Sequence, residues 1–296
     1  MNETTQRKGT EVSLEGVTYR YSVGTPFEKT ALENVSMTFE GGIITGLMGH
    51  TGSGKSTIAQ LLNGLLTPSE GKVLLDGKDI WEGGKKMQGI HFRVGLVFQY
   101  PEYQLFEETV AKDIAYGPRN MGLSNEEISV RVAEAARFTG IDHTLLDKSP
   151  FELSGGQKRR VAIAGVMAMN PDVLVLDEPA AGLDPRGRKE ILGRIRDYQR
   201  EKGNTIIIIS HSMEDMAVYT DKLMVLDHGR VARYGTGHEV FCHAEELKRV
   251  GLSRPQITKL MMELKAAGMP IPDGIYTVDD AYRAVSALLD SGKAGE

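Results

Sequence analysis

The stretch GHTGSGKS at residues 49–56 decides the fold of this chain. It matches the pattern G-x-x-x-x-G-K-[ST] and lies between an apolar run and a segment with helical periodicity, the context that a phosphate-binding loop requires. Glycines let the backbone curl around phosphate oxygens, and the N–H groups of the loop and of the following helix face the negative charge. A glycine-rich turn with an exposed lysine is the alternative, and the intact flanking context argues against it. The loop therefore predicts a nucleotide site.

Lys55, Ser56 and a second motif, VLVLDEP at residues 173–179, supply the chemistry of that site. Lys55 can reach the β- and γ-phosphates, and the Ser56 hydroxyl can ligate Mg²⁺. The apolar run before Asp177 puts its carboxylate at the carboxyl end of a buried strand, where it can hold the Mg²⁺ shell. Glu178 is placed to polarise an attacking water, although a loop acid followed by a helix cap is the alternative for this pair. The two motifs predict nucleotide binding without distinguishing a GTPase, a kinase or a motor ATPase.

Four apolar runs have the length and β-branched content of buried parallel strands: residues 43–49, 94–99, 173–178 and 205–210. Helical patterns separate them, which predicts the α/β class: a P-loop NTPase core with a mainly parallel sheet. Alternating apolar positions between residues 11 and 48 predict an N-terminal antiparallel β subdomain. Asp76-Gly77 between short apolar runs predicts a hairpin.

The chain is expected to divide into a disordered N-terminus at residues 1–10, a nucleotide-binding domain at 11–235 and a C-terminal helical extension at 236–296. A helical subdomain is predicted as an insertion at about 105–165. It includes a helix that begins at Ser124, because Glu127 three residues later completes a capping-box pattern.

The C-terminal extension is predicted to contain two short amphipathic helices, too small to form much of a core alone. Pro255 is expected in the first turn of the first helix. The expected apolar faces are Ile257, Leu260, Met261 and Leu264 on the first helix, and Val278, Tyr282, Val285 and Leu289 on the second. Such faces require burial on the main domain or on another subunit.

Composition excludes several classes. A net charge of −5 indicates no whole-surface affinity for nucleic acid or anionic lipid, so no nucleic acid partner is expected. The single cysteine, Cys242, permits no disulfide within the chain, which fits a reducing cytosol but also a secreted protein that needs no disulfide. The N-terminus lacks the apolar stretch of a signal peptide, and the longest aliphatic run, at 206–209, is far short of the roughly 20 residues that cross a bilayer.

The motif LSGGQ at residues 153–157 narrows the class. Ser154 followed by Gln157 is a capping box that opens a helix. Two glycines at the start of a helix also leave its positive end uncovered, which favours a bound phosphate. Because the chain already has one phosphate loop, a second such site implies another nucleotide or the nucleotide of another protomer.

With these motifs in this order, residues from about 11 to 235 resemble the ABC (ATP-binding cassette) ATPase family. The resemblance implies that Tyr21 stacks on adenine, with Tyr19 as a nearby competitor, and that Ala181–Asp184 form the D-loop. It implies that LSGGQ is the family signature and that two cassettes face head to tail, so that the signature of each meets the ATP of the other.

The resemblance also completes the predicted site. The expected ATP-binding residues are Tyr21, Gly49, His50, Thr51, Gly52, Ser53, Gly54, Lys55, Ser56 and Thr57. The expected catalytic residues are Glu178 as base, His211 as switch histidine, Gln99 as Q-loop glutamine, and Lys55. The expected Mg²⁺ ligands are Ser56, Gln99 and Asp177, and the residues expected to meet the partner's ATP are Ser154, Gly155, Gly156 and Gln157, with Asp184 in the D-loop.

A narrower resemblance is carried by GTPFE at residues 24–28, GHTG at 49–52 and QYPEYQLF at 99–106. These segments are similar to the ATPase subunits of energy-coupling-factor transporters, which drive prokaryotic uptake of vitamins, nickel or cobalt, and more to the second cassette of the heterodimeric systems than to the first. The resemblance implies a second, unlike ABC ATPase subunit, although a homodimer is possible. It also implies a membrane coupling protein, a substrate-binding membrane protein and a peripheral position at the cytoplasmic face of the cell membrane.

Two other functions compete with this one. A soluble ABC protein of DNA repair or translation would bring large insertions, a tandem cassette or a basic stripe, none of which the sequence contains. A non-catalytic regulatory cassette predicts a lost Glu178 or a degraded LSGGQ, and both are intact. The transported substrate would be chosen by a separate membrane protein, so its identity is not encoded here.

Overall fold

The structure is a computed structural model, and it describes residues 9–293. The expected disorder of residues 1–10 therefore falls almost entirely outside the described residues. Within the described range the strands are β1 (Val12–Tyr21), β2 (Lys29–Phe39), β3 (Ile44–Gly49), β4 (Glu70–Leu75), β5 (Lys78–Asp79), β6 (Val94–Val97), β7 (Val173–Asp177), β8 (Thr205–Ile209), β9 (Lys222–Asp227) and β10 (Arg230–Gly235).

The helices of the described range connect and cover these strands. They are α1 (Lys55–Leu62), α2 (Ile90–Arg93), α3 (Val110–Asn120), α4 (Asn125–Thr139), α5 (Gly155–Met167), α6 (Pro185–Lys202), α7 (Met213–Tyr219), α8 (Gly237–Phe241), α9 (Ala244–Arg249), α10 (Gln256–Ala266) and α11 (Val278–Lys293). Short 3₁₀ helices occupy Glu82–Gly84, Pro101–Gln104, His143–Leu145 and Pro150–Glu152. None of the helices described is long and apolar enough to cross a membrane.

The central sheet has the order β10-β9-β3-β8-β7-β6, parallel throughout except for the antiparallel pair β9 and β10. Every residue of β3, β7 and β8 is buried, as expected for strands covered on both faces. This arrangement confirms the predicted α/β class and the four parallel strands. It brings the carboxyl ends of β3, β7 and β8 to one edge of the sheet, where the phosphate loop begins.

One strand boundary was predicted wrongly. The sequence suggested that Gln99 ends the strand that begins at Val94, whereas β6 ends at Val97 and Gln99 lies in an exposed bend. The chain leaves the sheet because Tyr100 adopts a left-handed conformation (φ 57°) and Pro101 opens a 3₁₀ helix. Proline also disfavours helical geometry in the residue before it, so the turn is sharp.

The N-terminal subdomain is a four-stranded antiparallel sheet of order β2-β1-β4-β5, as predicted. Asp76 and Gly77 connect β4 to β5, both with positive φ (50° and 74°). Two successive positive φ values are typical of a type I′ hairpin turn, which confirms the predicted hairpin. The inward side chains of β1 pack against α1 and the central sheet in one apolar cluster.

Helices α3, α4 and α5 lie between β6 and β7 and belong to the second, larger cluster. The capping box at Ser124 is present: its hydroxyl accepts from Glu127 N at 3.2 Å, and Ser124 N donates to Glu127 Oε2 at 2.8 Å. The start of α4 is therefore the predicted one.

The C-terminal helices α10 and α11 pack mainly on each other, around Met261, Ile271, Ile275 and Ala281. Ile257 and Leu264 join this cluster as predicted, whereas Leu260 is 48% exposed. Pro255 directly precedes α10 instead of lying in its first turn.

The predicted apolar face of α11 was largely wrong. Val278, Tyr282 and Leu289 are 68%, 73% and 61% exposed, while Val285 packs inward. The inward face is formed by Ala281, Ala284, Val285 and Leu288. The bulkier stripe beside this face is left on the outside.

Candidate functional site

The phosphate loop connects β3 to α1 and is held by backbone packing that only glycine permits at two positions. A Cβ on Gly49 (φ 156°) would lie 2.4 Å from the Leu226 carbonyl oxygen. A Cβ on Gly54 (φ 106°) would lie 2.8 Å from the Ala31 carbonyl oxygen. The loop is therefore pressed against β9 on one side and β2 on the other, which fixes its path.

Lys55 extends across this loop. Its Nζ donates to the carbonyl oxygens of Gly49 at 2.8 Å and His50 at 2.9 Å. Desolvation lowers the pKa of Lys55, and the carboxylates of Glu178 and Asp177 act in the opposite direction. The ammonium is thus fixed at the mouth of the loop, with the two acidic side chains near it.

Ser56 and Asp177 meet directly, as the predicted metal site requires. The Ser56 hydroxyl donates to Asp177 Oδ2 at 2.8 Å. Burial raises the pKa of Asp177, and the hydrogen bond from Ser56 opposes this shift. Hydroxyl and carboxylate oxygens are the hard ligands that Mg²⁺ prefers, and a cation would offset the cost of burying this carboxylate. The residues present therefore fit Mg²⁺.

Glu178 and His211 follow the ends of the adjacent strands β7 and β8. Glu178 has a positive φ of 52°, and its backbone N–H donates to the Ile209 carbonyl at 2.9 Å, which fixes this strained residue against β8. His211 Nδ1 donates to Glu178 Oε1 at 2.8 Å. Ser210, which the sequence did not single out, donates from Oγ to Glu178 Oε2 at 3.4 Å. Both oxygens of this carboxylate are therefore oriented by residues of one short segment.

Tyr21 lies beside the loop at the end of β1. The residue is 38% exposed, and its hydroxyl is 3.1 Å from Thr57 Oγ1. Tyr19 packs into the apolar cluster and meets Tyr21 edge to face, with ring centroids 4.8 Å apart. Tyr21 is the better platform for a base, since its ring is the more accessible of the two. The cleft at this point is also lined by Lys29 and Ala31, which carry no recognisable motif and were missed.

Among the described residues, no hydrogen bond or ion pair joins Gln99 to these residues. Its side chain is exposed, and within the described part of the chain it makes no hydrogen bond. The predicted roles of Gln99 in catalysis and Mg²⁺ binding therefore remain predictions.

The LSGGQ motif forms the start of α5, as the capping pattern predicted. The Ser154 hydroxyl accepts from Gln157 N at 3.4 Å, and Ser154 N donates to Gln157 Oε1 at 2.9 Å. A Cβ on Gly155 would meet nothing within 4 Å, so the helix start is open to a ligand. Asp184 begins the next helix in the same way, because its Oδ1 accepts from Gly187 N at 2.8 Å.

An ion pair between a buried arginine and a partly buried glutamate, which the sequence did not reveal, connects three parts of the site. The Arg159 side chain in α5 is 4% exposed, and its Nη2 donates to Glu102 Oε1 at 2.8 Å. The same guanidinium donates to the Ala181 carbonyl. It therefore joins the segment after β6, the helix of the LSGGQ motif and the residues before Asp184.

We expect Glu102→Ala to lower the free energy of unfolding by about 3 kcal/mol, because it leaves the buried Arg159 charge without its partner. Chemical denaturation monitored by circular dichroism measures the change. Glu108→Ala is the matched control, since Glu108 is 80% exposed and pairs with Lys112 at the surface. Equal, small effects of both substitutions would contradict a structural role for the Glu102–Arg159 pair.

The comparisons with known proteins agree with this geometry. The family model for "ABC transporter" matches residues 32–181, about half of the chain, and a model for an AAA domain matches residues 147–216. An energy-coupling factor transporter ATP-binding protein, EcfA2, from Clostridium acetobutylicum is 52% identical over 95% of this chain and 99% of its own length. EcfA2 from Caldanaerobacter subterraneus is also 52% identical, over 95% of this chain and 99% of its own length.

Solved structures give the same result. CbiO1 from Clostridium perfringens, part of the ABC transporter complex CbiONQ, is 43% identical with a TM-score of 0.72, covering 85% of this chain and 98% of CbiO1. A dimeric ATP-binding cassette in a post-hydrolysis state with ADP and Pi is 27% identical with a TM-score of 0.65, covering 76% of this chain and 98% of that cassette. The chain therefore belongs to the ABC transporter family and, within it, to the ATP-hydrolysing subunits named energy-coupling factor transporter ATP-binding proteins.

Proposed function

We propose that this chain binds ATP with Mg²⁺ in the cleft between Tyr21 and the phosphate loop and hydrolyses it to drive uptake through separate membrane subunits. The adenine stacks on Tyr21, and the phosphates lie on residues 49–57. The contact between Ser56 and Asp177 is the observation that carries the proposal, because it joins the phosphate loop to the acidic strand end.

The chemistry depends on positioning and electrostatics. Ser56 and Asp177 would hold the metal, with Gln99 from the segment after β6 as the predicted third oxygen donor. When bound, Mg²⁺ would offset the negative charge of the phosphates. Glu178 accepts a proton from the attacking water as the new oxygen–phosphorus bond forms and the bond to the ADP oxygen breaks. His211, already hydrogen-bonded to Glu178, stabilises the γ-phosphate region, and Lys55 the β- and γ-phosphates.

The second phosphate contact is supplied by another cassette. The helix start at Ser154–Gln157 is uncovered, and among the described residues no hydrogen bond or ion pair joins it to the chain's own phosphate loop. A helix N-terminus with free N–H groups suits an anion. We propose that it meets the ATP of a partner cassette, with Asp184 beside it; the post-hydrolysis relative, which is dimeric, supports this arrangement.

Ser154→Arg should spare ATP binding by the isolated chain and abolish most turnover of the assembled pair, because the long cationic side chain blocks the open helix start. Turnover and binding of a fluorescent ATP analogue are measured separately. Ser124→Arg is the matched control: Ser124 caps α4 with the same capping box, so it loses the same cap, worth about 1 kcal/mol, away from the signature. Intact turnover in Ser154→Arg would mean that Ser154 is only a helix cap.

We propose that the partners are a second, unlike ABC ATPase subunit, a membrane coupling protein and a substrate-binding membrane protein, at the cytoplasmic face of the cell membrane. The CbiONQ complex of the structural relative and the names of the sequence relatives support a transporter assembly. The segment 99–106 exposes three aromatic side chains that are suited to pack against a helix of a partner. They are Tyr100, Tyr103 and Phe106, which are 49%, 84% and 58% exposed. A soluble, non-transport ABC ATPase has no support in these comparisons.

The domain division follows the same reasoning. We propose that residues 11–235, with the helical insertion at about 105–165, form the ATPase, and that 236–296 form an extension that contacts the other cassette. The exposed stripe of Val278, Tyr282 and Leu289 on α11 is the surface that such a contact would bury. This contact between the extension and the other cassette does not involve the nucleotide, so it could persist after ATP has been hydrolysed.

Co-expression with genes for a second cassette and for small membrane proteins, followed by extraction in mild detergent and mass measurement of the complex, tests the assembly. We expect one copy of this chain, one unlike cassette and the membrane subunits in a single ATP-hydrolysing particle. A stable homodimer that hydrolyses ATP and never recruits a second cassette or a membrane protein would contradict the proposal.

A further inference from the structure

Two histidines and an aspartate meet where the phosphate loop lies against the turn between β9 and β10. His50 Nε2 is 3.3 Å from Asp227 Oδ1, and His228 Nε2 is 3.7 Å from the same oxygen. The two imidazole rings have their centroids 4.6 Å apart. All three possible ligand atoms lie within 4.8 Å of one another, and together they form the histidine–aspartate cluster.

The His50 ring is oriented so that one nitrogen is free to act as a ligand. Its Nδ1 donates to the Thr51 carbonyl at 2.8 Å, which leaves the lone pair on Nε2. This nitrogen is enclosed and, among the residues that the structure describes, has no hydrogen-bond partner, although it faces a carboxylate oxygen. A lone pair opposite a carboxylate is repulsive, and a cation between the two atoms removes that repulsion. Histidine ligands of metals are typically fixed in this way by a hydrogen bond from their second nitrogen.

The backbone holds the cluster together independently of its side chains. His228 and Gly229, with φ values of 43° and 75°, form the turn between β9 and β10. Gly229 N donates to the Ser53 carbonyl of the phosphate loop at 3.0 Å, so a backbone hydrogen bond already links the turn to the loop. His228 occupies a left-handed position, which costs a non-glycine residue strain.

The distances suit a small transition-metal ion. Zinc–nitrogen and zinc–oxygen bonds of about 2.0–2.1 Å in tetrahedral geometry put neighbouring ligand atoms ~3.3 Å apart. The His50–Asp227 pair already has this spacing, and the His228 side chain, which is 84% exposed, can close the remaining gap by a small rotation. Two imidazoles and one carboxylate leave a fourth position for water, and nitrogen ligands favour zinc-like ions over Mg²⁺.

We propose that His50, Asp227 and His228 bind one zinc-like divalent ion, which clamps the phosphate loop to the β9–β10 turn and tightens nucleotide binding. The coupling runs through His50: its carbonyl accepts from both Lys55 Nζ at 2.9 Å and Ser53 N at 3.1 Å. An ion that fixes the His50 side chain therefore also fixes the carbonyl on which the phosphate-binding lysine rests. This site adds to the proposed function and is measurable without transport or turnover.

The test is a zinc titration of the untagged full-length chain in excess Mg²⁺, using competition with a chromophoric chelator. We expect one zinc per chain in the original protein and an affinity about tenfold or more lower in His228→Asn. Asparagine tolerates the left-handed backbone, so this variant removes the ligand and keeps the turn. His143→Asn is the matched control, because His143 is an exposed histidine next to Asp142 elsewhere on the surface. Equal zinc affinity in the original protein and His228→Asn would overturn the site.

The proposed effect of the ion on nucleotide binding is measured in a separate experiment. With zinc present, the affinity for a fluorescent ADP analogue should rise by about fivefold or more, the lower end of usual coupling between sites, and His228→Asn should not show this rise. Comparison of the two proteins removes any direct effect of zinc on the nucleotide. Zinc binding that leaves nucleotide affinity unchanged would refute the clamp. Absence of zinc binding would refute the site and would mean that His50, Asp227 and His228 make only contacts with one another.

Discussion

Glu178→Gln should bind ATP normally and lose hydrolysis by about 10²- to 10⁴-fold, the usual contribution of a general base. Glutamine keeps the size of the side chain and can still accept from His211 Nδ1, which lies 2.8 Å from Glu178 Oε1. It has no carboxylate to take the proton of the attacking water. Single-turnover phosphate release measures the rate of the chemical step, and equilibrium binding of labelled ATP measures the affinity of the variant for ATP.

The variant should also accumulate as an ATP-bound closed dimer, because the negative charge that joins the two halves is no longer removed. Size-exclusion chromatography with and without ATP detects this state. Glu126→Gln provides a matched control, as Glu126 is an exposed acid in the first turn of α4. Near-normal turnover in Glu178→Gln would rule out the assigned base.

Lys55→Ala should reduce nucleotide affinity and turnover together. The substitution removes the charge that the carbonyls of Gly49 and His50 hold at the mouth of the loop. Hydrogen bonds to a charged group contribute about 1.5–3 kcal/mol, so the affinity for ATP should fall by roughly 10- to 100-fold. Isothermal titration with ATP measures it directly.

Lys78→Ala is the control that tests whether the loss of any lysine has this effect. Lys78 is exposed on β5 and has no assigned contact with the phosphates. Binding in Lys55→Ala should remain weak when turnover is prevented by omission of Mg²⁺. Unchanged affinity in Lys55→Ala would mean that the ammonium only supports the loop.

Local patterns predicted the parts of the fold and site that depend on local sequence. The phosphate loop, the four buried strands and the Asp76-Gly77 turn are each specified within about ten residues, because backbone conformation and burial follow directly from those side chains. The acidic pair at 177–178 was predictable for the same reason.

Long-range packing determined what the sequence did not reveal. Glu102 and Arg159 are 57 residues apart, and no local motif indicates that they pair. The exposed stripe of α11 was mistaken for its buried face because both faces carry apolar residues, and only contact with α10 selects between them. The position of Gln99 beyond β6 depends on the conformation of Tyr100, which its residue type does not predict.

The Arg159 guanidinium has a consequence for the order of events in the working cycle. It binds Glu102 after β6 and the Ala181 carbonyl while belonging to α5 itself. These contacts hold three segments of the chain together, so the three should move as one rigid body. A push from a membrane partner at residues 99–106 would then arrive at the signature helix and at the segment before Asp184 at the same moment, and not as a relay through successive loops.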